Sequence, residues 1–281
     1  MDHLLVSTLD RPVLVHPPAG LQARAARAAS SQAPCAACHL RDQCVAVLAG
    51  DGAPLSTRLL IGRRRLRKGE LLFREGQDCA YVYAVRVGTL KTAFTLEDGH
   101  EQVTAFAFAG ELVGFEGIAT GRHATFAVAL EDSEVCAIPY AELMRLPPTA
   151  NGPAPAARFA QAAAMELVRE QAAKAVASLR QADPRVAAFL LALAARMRER
   201  GFSGTEFELR MSRAEIGSYL GLTMESVSRA LSTFAARGWI TVSKRSIHIL
   251  STDALERLSR PAGSALGREH LPAAQPLAQA A

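Results

Sequence analysis

Three thiols fall within ten residues, Cys35, Cys38 and Cys44, in the spacing C-x2-C-x5-C. A two-residue gap lets one turn offer two thiolates to a single metal ion or cluster, the local unit shared by zinc and iron–sulfur sites. A fourth donor must come from elsewhere, and the candidates are Cys136 in the apolar stretch Val135 to Ile138, Cys79 after Gly76-Gln77-Asp78, and His39. Spacing alone leaves an iron–sulfur cluster, structural zinc, and unligated or redox-active thiols all open. A thioredoxin-type pair is disfavoured because no strand precedes Cys35. Five cysteines in 281 residues are too few for a disulfide scaffold, and an odd number cannot all pair.

A second group of residues carries recognition chemistry. Ser212-Arg213-Ala214-Glu215 is a capping box, in which the serine oxygen and the glutamate satisfy each other's backbone N–H groups. It opens a helix to Leu220; Gly221-Leu222 makes a turn, and Thr223 caps a helix that runs to Arg237-Gly238. Two capped helices so close together predict a helix-turn-helix. Helical spacing sends Met224, Val227, Leu231 and Phe234 inward, and Glu225, Ser228, Arg229 and Ser232 outward. Arginine can donate to both O6 and N7 of guanine, and glutamate can accept from N4 of cytosine, so the outward set suits a major groove. Two strands about Ser243-Lys244-Arg245 form a basic wing, and residues 183–260 hold 12 basic and 8 acidic side chains, 12 − 8 = +4 of a whole-chain +5. That balance favours a phosphate backbone. A bundle that merely packs its helices would present a similar capped pair, but it has no need of the basic hairpin or the charge excess.

The elements that must position these residues follow from periodicity. Residues 1–30 are a loose arm rich in Pro, Gly, Ala and Arg. From Ile61 to Pro139 short apolar runs alternate with turn formers such as Glu97-Asp98-Gly99-His100, and Leu90, Thr92, Phe94, Val103 and Ala105 alternate as strands with one buried face. Six or more such strands predict a small barrel or roll. Ala157 to Gln181 is a long helix with two stripes. Met165, Val168, Ala172, Val176 and Leu179 form the one expected to face the roll. Ala160, Ala163, Leu167, Glu170 and Lys174 form a thinner one, suited either to a symmetry mate or to solvent. Asp183-Pro184 starts a further helix through Val186 to Arg200, and the chain after Leu258 is a low-complexity tail.

With 49% apolar and 21% charged residues the chain can bury a real core and is not disordered. Its longest helical apolar run, Val186 to Ala195, is well short of the roughly 18 residues a bilayer requires, and the opening MDHLLVSTLDRP lacks a basic n-region. The expectation is a cytoplasmic protein without a membrane role. No phosphate-binding Gly-rich loop, HExxH or GxSxG occurs, so nothing points to an enzyme.

Taken together, C-x2-C-x5-C at 35–44, YAVRVGTLKTAFTLEDGHEQVTAFAFAGELVGFEGI at 83–118, VCAIP at 135–139 and RGFSGTEFELRMSRAEIGSYLGLTMESVSR at 200–229 resemble the Crp/Fnr transcription regulators, and within them the oxygen-responsive Fnr/Anr branch. The resemblance runs from Cys35 to about Leu258. It implies an α+β protein: a cluster-binding arm over 1–55, an antiparallel β-roll like a cyclic-nucleotide-binding domain over 56–146, a dimerisation helix over 156–182 and a winged helix-turn-helix over 183–258; composition makes 259–281 a disordered tail. It implies an oxygen-labile 4Fe-4S cluster on Cys35, Cys38, Cys44 and Cys136, with Cys79 left without a role. It implies that Glu225, Ser228 and Arg229 read a TTGAT-type half-site, aided by Thr223, Ser212, Arg213, Lys244 and Arg245. Dimers would form through Ala160, Ala163, Leu167, Glu170 and Lys174 when the cluster is present, with RNA polymerase as the downstream partner. The cyclic-nucleotide-binding relatives carry an Arg-Ser pair after the Gly-Glu of the roll, whereas Gly110-Glu111 here leads into Leu112-Val113-Gly114-Phe115-Glu116, so no cyclic nucleotide is expected. Gln43 and His39, beside the thiols, are positioned to alter solvent access to them. The competing readings are a zinc-stabilised or thiol-switched regulator of the same fold, and a roll-type protein that binds no DNA.

Overall fold

The structure, a computed structural model, describes residues 38–40, 59, 61–148 and 154–260. Eight strands build the roll: β1 (Gly62–Leu66), β2 (Leu71–Phe73), β3 (Tyr81–Val87), β4 (Thr89–Thr95), β5 (Glu101–Phe108), β6 (Leu112–Val113), β7 (Phe126–Ala129) and β8 (Ser133–Pro139). They form two antiparallel four-stranded sheets, in the orders β1-β8-β3-β6 and β2-β7-β4-β5. Between the sheets lie Leu72, Phe73, Tyr83, Val85, Leu90, Ala107, Ala127, Ala129 and Val135, all buried. This is the expected antiparallel roll.

The expectation of one buried face per strand fails, for a reason outside the strands. The outer face of the β2-β7-β4-β5 sheet contributes Ala93, Val103, Phe106 and Phe108 to a core completed by the C-terminal helices. The outer face of the other sheet contributes Val82, Ala84 and Ile138 to a cluster shared with Leu40, Leu59, Leu143 and Phe159. A register shift between Thr92 and Ala93 also breaks the simple alternation, so that Ala93 is fully buried while Phe94 is only half-buried.

Helix α1 (Tyr140–Arg145) closes the roll and was not anticipated from the sequence. Helix α2 (Pro155–Ala177) begins with proline at its first position, where the missing N–H has no partner to lose. It ends earlier than the expected Gln181, at a Ser178 cap whose N–H reaches back to Lys174 and Ala175. Its roll-facing side is the predicted stripe only in part: Val176 packs on the core that includes the outer face of the β2-β7-β4-β5 sheet, and Met165 and Leu179 are half-buried. Phe159, Ala162 and Ala163 pack on the roll, followed by Glu166 and Arg169, while Val168 and Ala172 are exposed. Spacing groups residues into faces, but it does not show that Glu166 and Arg169 turn toward the buried Glu111.

Helix α3 (Ala182–Glu199) then leads through β9 (Glu206–Glu208) to α4 (Arg213–Leu220), α5 (Met224–Ala236), β10 (Ile240–Ser243), β11 (Ser246–Ile249) and α6 (Thr252–Ser259). Strand β9 joins the two wing strands in a three-stranded sheet, β10-β11-β9; neither β9 nor α6 was foreseen. The expected N-terminal arm falls outside the described residues except for Cys38, His39 and Leu40, and so does the tail beyond Arg260.

Candidate nucleic-acid interface and thiol site

The helix pair has the predicted caps. Ser212 Oγ accepts from the Glu215 N–H at 3.2 Å, and Glu215 accepts from the Ser212 N–H at 2.7 Å. Gly221 ends α4 in the left-handed region at φ 64°. One turn earlier Gly217 permits the close approach that the motif needs: a Cβ there would stand 2.6 Å from the Leu222 carbonyl oxygen. Arg185 of α3 holds the turn from beneath, donating to the carbonyls of Leu220 (3.0 Å) and Gly221 (3.2 Å). Thr223 Oγ1 accepts from the Ser226 N–H at 3.2 Å and so opens α5.

On α5, Val227, Ala230, Leu231 and Phe234 are buried, while Glu225, Arg229 and Ser232 are exposed and Ser228 is half-buried. Met224 departs from the predicted inner set. It is 49% exposed, because the first helical residue lies before the packed stripe begins. Lys244 stands exposed at the wing tip with φ 54°, and Arg245 beside it donates to the Arg210 carbonyl at 3.2 Å. The predicted set therefore divides by geometry. Glu225, Ser228, Arg229 and Lys244 are open to a partner, Arg245 is partly spent on the wing, and the Ser212 and Thr223 oxygens are engaged in capping. Arg213 is half-buried at the start of α4.

Of the predicted thiols, Cys38 and Cys136 are described, and Cys35 and Cys44 lie outside the described residues. Cys136 is on β8, opposite Arg63 of β1 and Ala84 of β3, so the three side chains share the outer face of that sheet. Cys38 and Cys136 are both half-buried against the one apolar cluster that also receives Phe159, Ala162 and Ala163 of α2. His39 is exposed. Cys79 is held elsewhere: its Sγ lies 3.3 Å from the Gly114 carbonyl, and burial, reinforced by Glu116, pushes its thiol up to about 12. Such a thiol carries almost no thiolate near neutral pH.

Sequence reasoning missed the groups that lock the C-terminal unit to the roll. Glu111 is buried in the turn between β5 and β6, and receives Arg196 of α3, Arg200 at the C-terminal cap of that helix and, at 3.4 Å, Arg169 of α2. Burial pushes its carboxyl up, but Arg196, Arg200 and Arg169 outweigh that and hold it down at about 2. Glu166, close to the same arginines, goes the other way: burial and the Glu111 charge raise it to about 7 against the pull of Arg169. A second lock is Lys91, within 2.7 Å of Glu101 and 3.1 Å of Glu215. Beside it Ser218 of α4 donates to the Glu101 carbonyl and accepts from the Val103 N–H, each at 2.9 Å. Ring contacts of Phe106 with Phe189 and Tyr219 complete this seam. The four-residue spacing of Arg196 and Arg200 was the one available signal, and it names no partner.

Comparison with known proteins decides the family. Residues 184–258 match the Crp-like helix-turn-helix domain and residues 63–147 the cyclic nucleotide-binding domain. The fumarate and nitrate reduction regulatory proteins of Shigella dysenteriae and of Escherichia coli (strain K12) are each 38% identical over 228 residues, 80% of this chain and 90% of theirs. The chain belongs to the Crp/Fnr family. Among solved structures, FixK2 from Bradyrhizobium japonicum is similar at a TM-score of 0.64 and 29% identity, covering 73% of this chain and all (100%) of that one. A CRP-family transcriptional regulator from Thermus thermophilus, at 24% identity, TM-score 0.55 and coverage of 70% of this chain and 96% of its own, shares the fold. As a Crp/Fnr regulator, the chain carries a DNA-binding helix-turn-helix joined to a cyclic-nucleotide-binding-type roll. None of its described helices is long and apolar enough to cross a membrane.

Proposed function

We propose that this Crp/Fnr chain is a cytoplasmic, oxygen-responsive transcription regulator that binds TTGAT-type palindromes as a dimer and activates or represses genes of low-oxygen growth through RNA polymerase. The observation that carries this reading is the shared cluster: Cys38, Cys136 and the first half of α2 pack against one set of apolar side chains. A change at the thiols is thereby a change in the seat of the dimerisation helix.

Cys35, Cys38, Cys44 and Cys136 would hold a 4Fe-4S cluster. The donor set fits, since two sulfurs come from separate parts of the chain to one half-buried face, bordered by Arg63 and Arg86 that can offset thiolate charge. When bound, such a cluster supplies an oxygen-reactive iron–sulfur centre. The chain's own residues do the rest. The arm carrying Cys38 braces Phe159, Ala162 and Ala163, and α2 presents Ala160, Leu167, Glu170 and Lys174, all exposed, to its copy. Pairing buries two Glu170 carboxylates near each other, so the free energy balance between monomer and dimer is close and the bracing of α2 decides it. Dimers hold two α5 helices in successive major grooves, where Arg229, Glu225 and Ser228 meet base edges. A monomer loses one half-site, and each correct base pair contributes about 1–3 kcal/mol.

The test is binding to a TTGAT-type palindrome by the anaerobically prepared chain, repeated after exposure to air. Tight anaerobic binding that air abolishes, with loss of iron and sulfide, is the expected result. Colourless protein carrying one zinc ion, or binding indifferent to air, would overturn the oxygen reading and favour the zinc-stabilised regulator.

A further inference from the structure

The sheet face that carries Cys136 also carries an unusual concentration of arginine. Arg63 stands directly opposite Cys136, and Arg65 opposite Glu134, in the β1–β8 register. Arg86 occupies the register shift in β3 between Val85 and Val87, where one extra residue bends the strand and re-aims a side chain. Glu134, only 9% exposed, gathers these cations: Arg86 at 2.9 Å, Arg65 at 3.4 Å and Arg63 at 3.6 Å. Arg86 also stands near the Cys38 sulfur, which after Glu134 favours its charged form. Its Nε is buried and makes no hydrogen bond, a condition it shares among the described residues with Arg158 alone. A buried unpaired N–H costs roughly 1–3 kcal/mol, so its persistence calls for an acceptor.

We infer that Arg86 is a positioning residue of the thiol site: it holds the Cys38 sulfur and offsets the negative charge that the Cys38 and Cys136 thiolates bring to this half-buried face. Glu134 competes for the same guanidinium and moderates that effect. The inference rests on the cluster reading above, and it goes beyond ligand identity, since Arg86 is no ligand. Arginine suits the role because its planar fork can serve Glu134 through one nitrogen and a sulfur through another, which the ammonium of lysine does less well.

The two neighbours give opposite expectations. In the full-length chain reconstituted anaerobically with iron and sulfide, Arg86→Gln should lose its visible sulfur-to-iron absorbance in air about tenfold faster than the parent, the scale on which groups behind metal ligands act. Arg86→Lys should fall between the two. Glu134→Gln, which frees Arg86 for the sulfur, should lose absorbance more slowly than the parent. A merely structural role would weaken the site in both Arg86→Gln and Glu134→Gln, and that result overturns the inference. Parental decay in Arg86→Gln, with melting and iron content unchanged, overturns it as well. If Arg86→Gln does not fold, Arg86→Lys and Glu134→Gln still carry the opposed expectations. A parent chain that takes up zinc and no iron ends the cluster reading and this inference together, whereas an iron-loaded parent with an indifferent Arg86→Gln ends this inference alone.

Discussion

Arg229 stands on the outward side of α5 with Glu225 one turn before it, and neither has an ion-pair partner among the described residues. Both are therefore available to bases without first breaking an internal contact. Arg229→Ala should weaken binding to the specific duplex by about 1–3 kcal/mol and relax selection at one base pair, with a smaller loss on random duplex. Competition titrations at fixed salt check this, and equal losses on the two duplexes would place Arg229 on phosphate alone. The caps at Ser212 and Thr223 belong to the same scale but have another duty. Their oxygens satisfy helix N–H groups, so replacing them lowers stability before it alters recognition.

Helix α2 shows how an element can be amphipathic twice. One side seats Phe159, Ala162 and Ala163 on the roll, so that the half-buried Ala163, expected on the dimer face, also touches the roll cluster. The adjoining side leaves Leu167 52% exposed with Ala160, Glu170 and Lys174 around it, and further round the helix Val168 is 39% exposed. Two copies that paired there would cover this apolar surface but bring the Glu170 carboxylates together. Glu170→Ala should therefore shift the aerobic chain from monomer toward dimer. Sedimentation velocity in air reads the shift directly, and monomers at every concentration would refute the repulsion.

At the scale of the whole molecule, one carboxylate joins three parts. Glu111 of the roll takes Arg169 from α2, Arg196 from α3 and Arg200 from the cap of α3, and Glu166 sits in the same field, near Tyr219 of α4 as well. The sign of the pH dependence follows from the two carboxyls. Glu166 is raised from 4.5 to about 7 by burial and by Glu111, so between these values the folded chain holds a proton the unfolded chain has lost, and stability falls as pH rises toward 7. Glu111, held at about 2 against burial by its arginines, contributes stability that is full above 4.5 and lost as pH falls toward 2. Melting temperature should decline by about 5 °C between mildly acidic and mildly alkaline pH, and Glu166→Gln should flatten that decline. An unchanged slope in Glu166→Gln would show that Glu166 does not titrate in this range. Through Arg169 and Glu111, α2 is joined to the arginines that bridge roll and winged unit.

The sequence by itself determined what local physics controls. Caps at Ser212, Thr223 and Gly221 mark helix ends because orphan N–H and C=O groups need partners within a few residues, and the alternating strands of the roll follow from one apolar interior. The winged helix-turn-helix and the outward set on α5 were legible for that reason. Tertiary structure alone decided which second face each sheet buries, which side of α2 meets the roll, and which carboxylates the arginines serve. Those choices depend on groups about 70 to 90 positions apart, such as Arg65 with Glu134 and Arg196 with Glu111. Periodicity assigns a residue to a face of its own element, but the energy of a buried charge is set by whatever the fold brings opposite it.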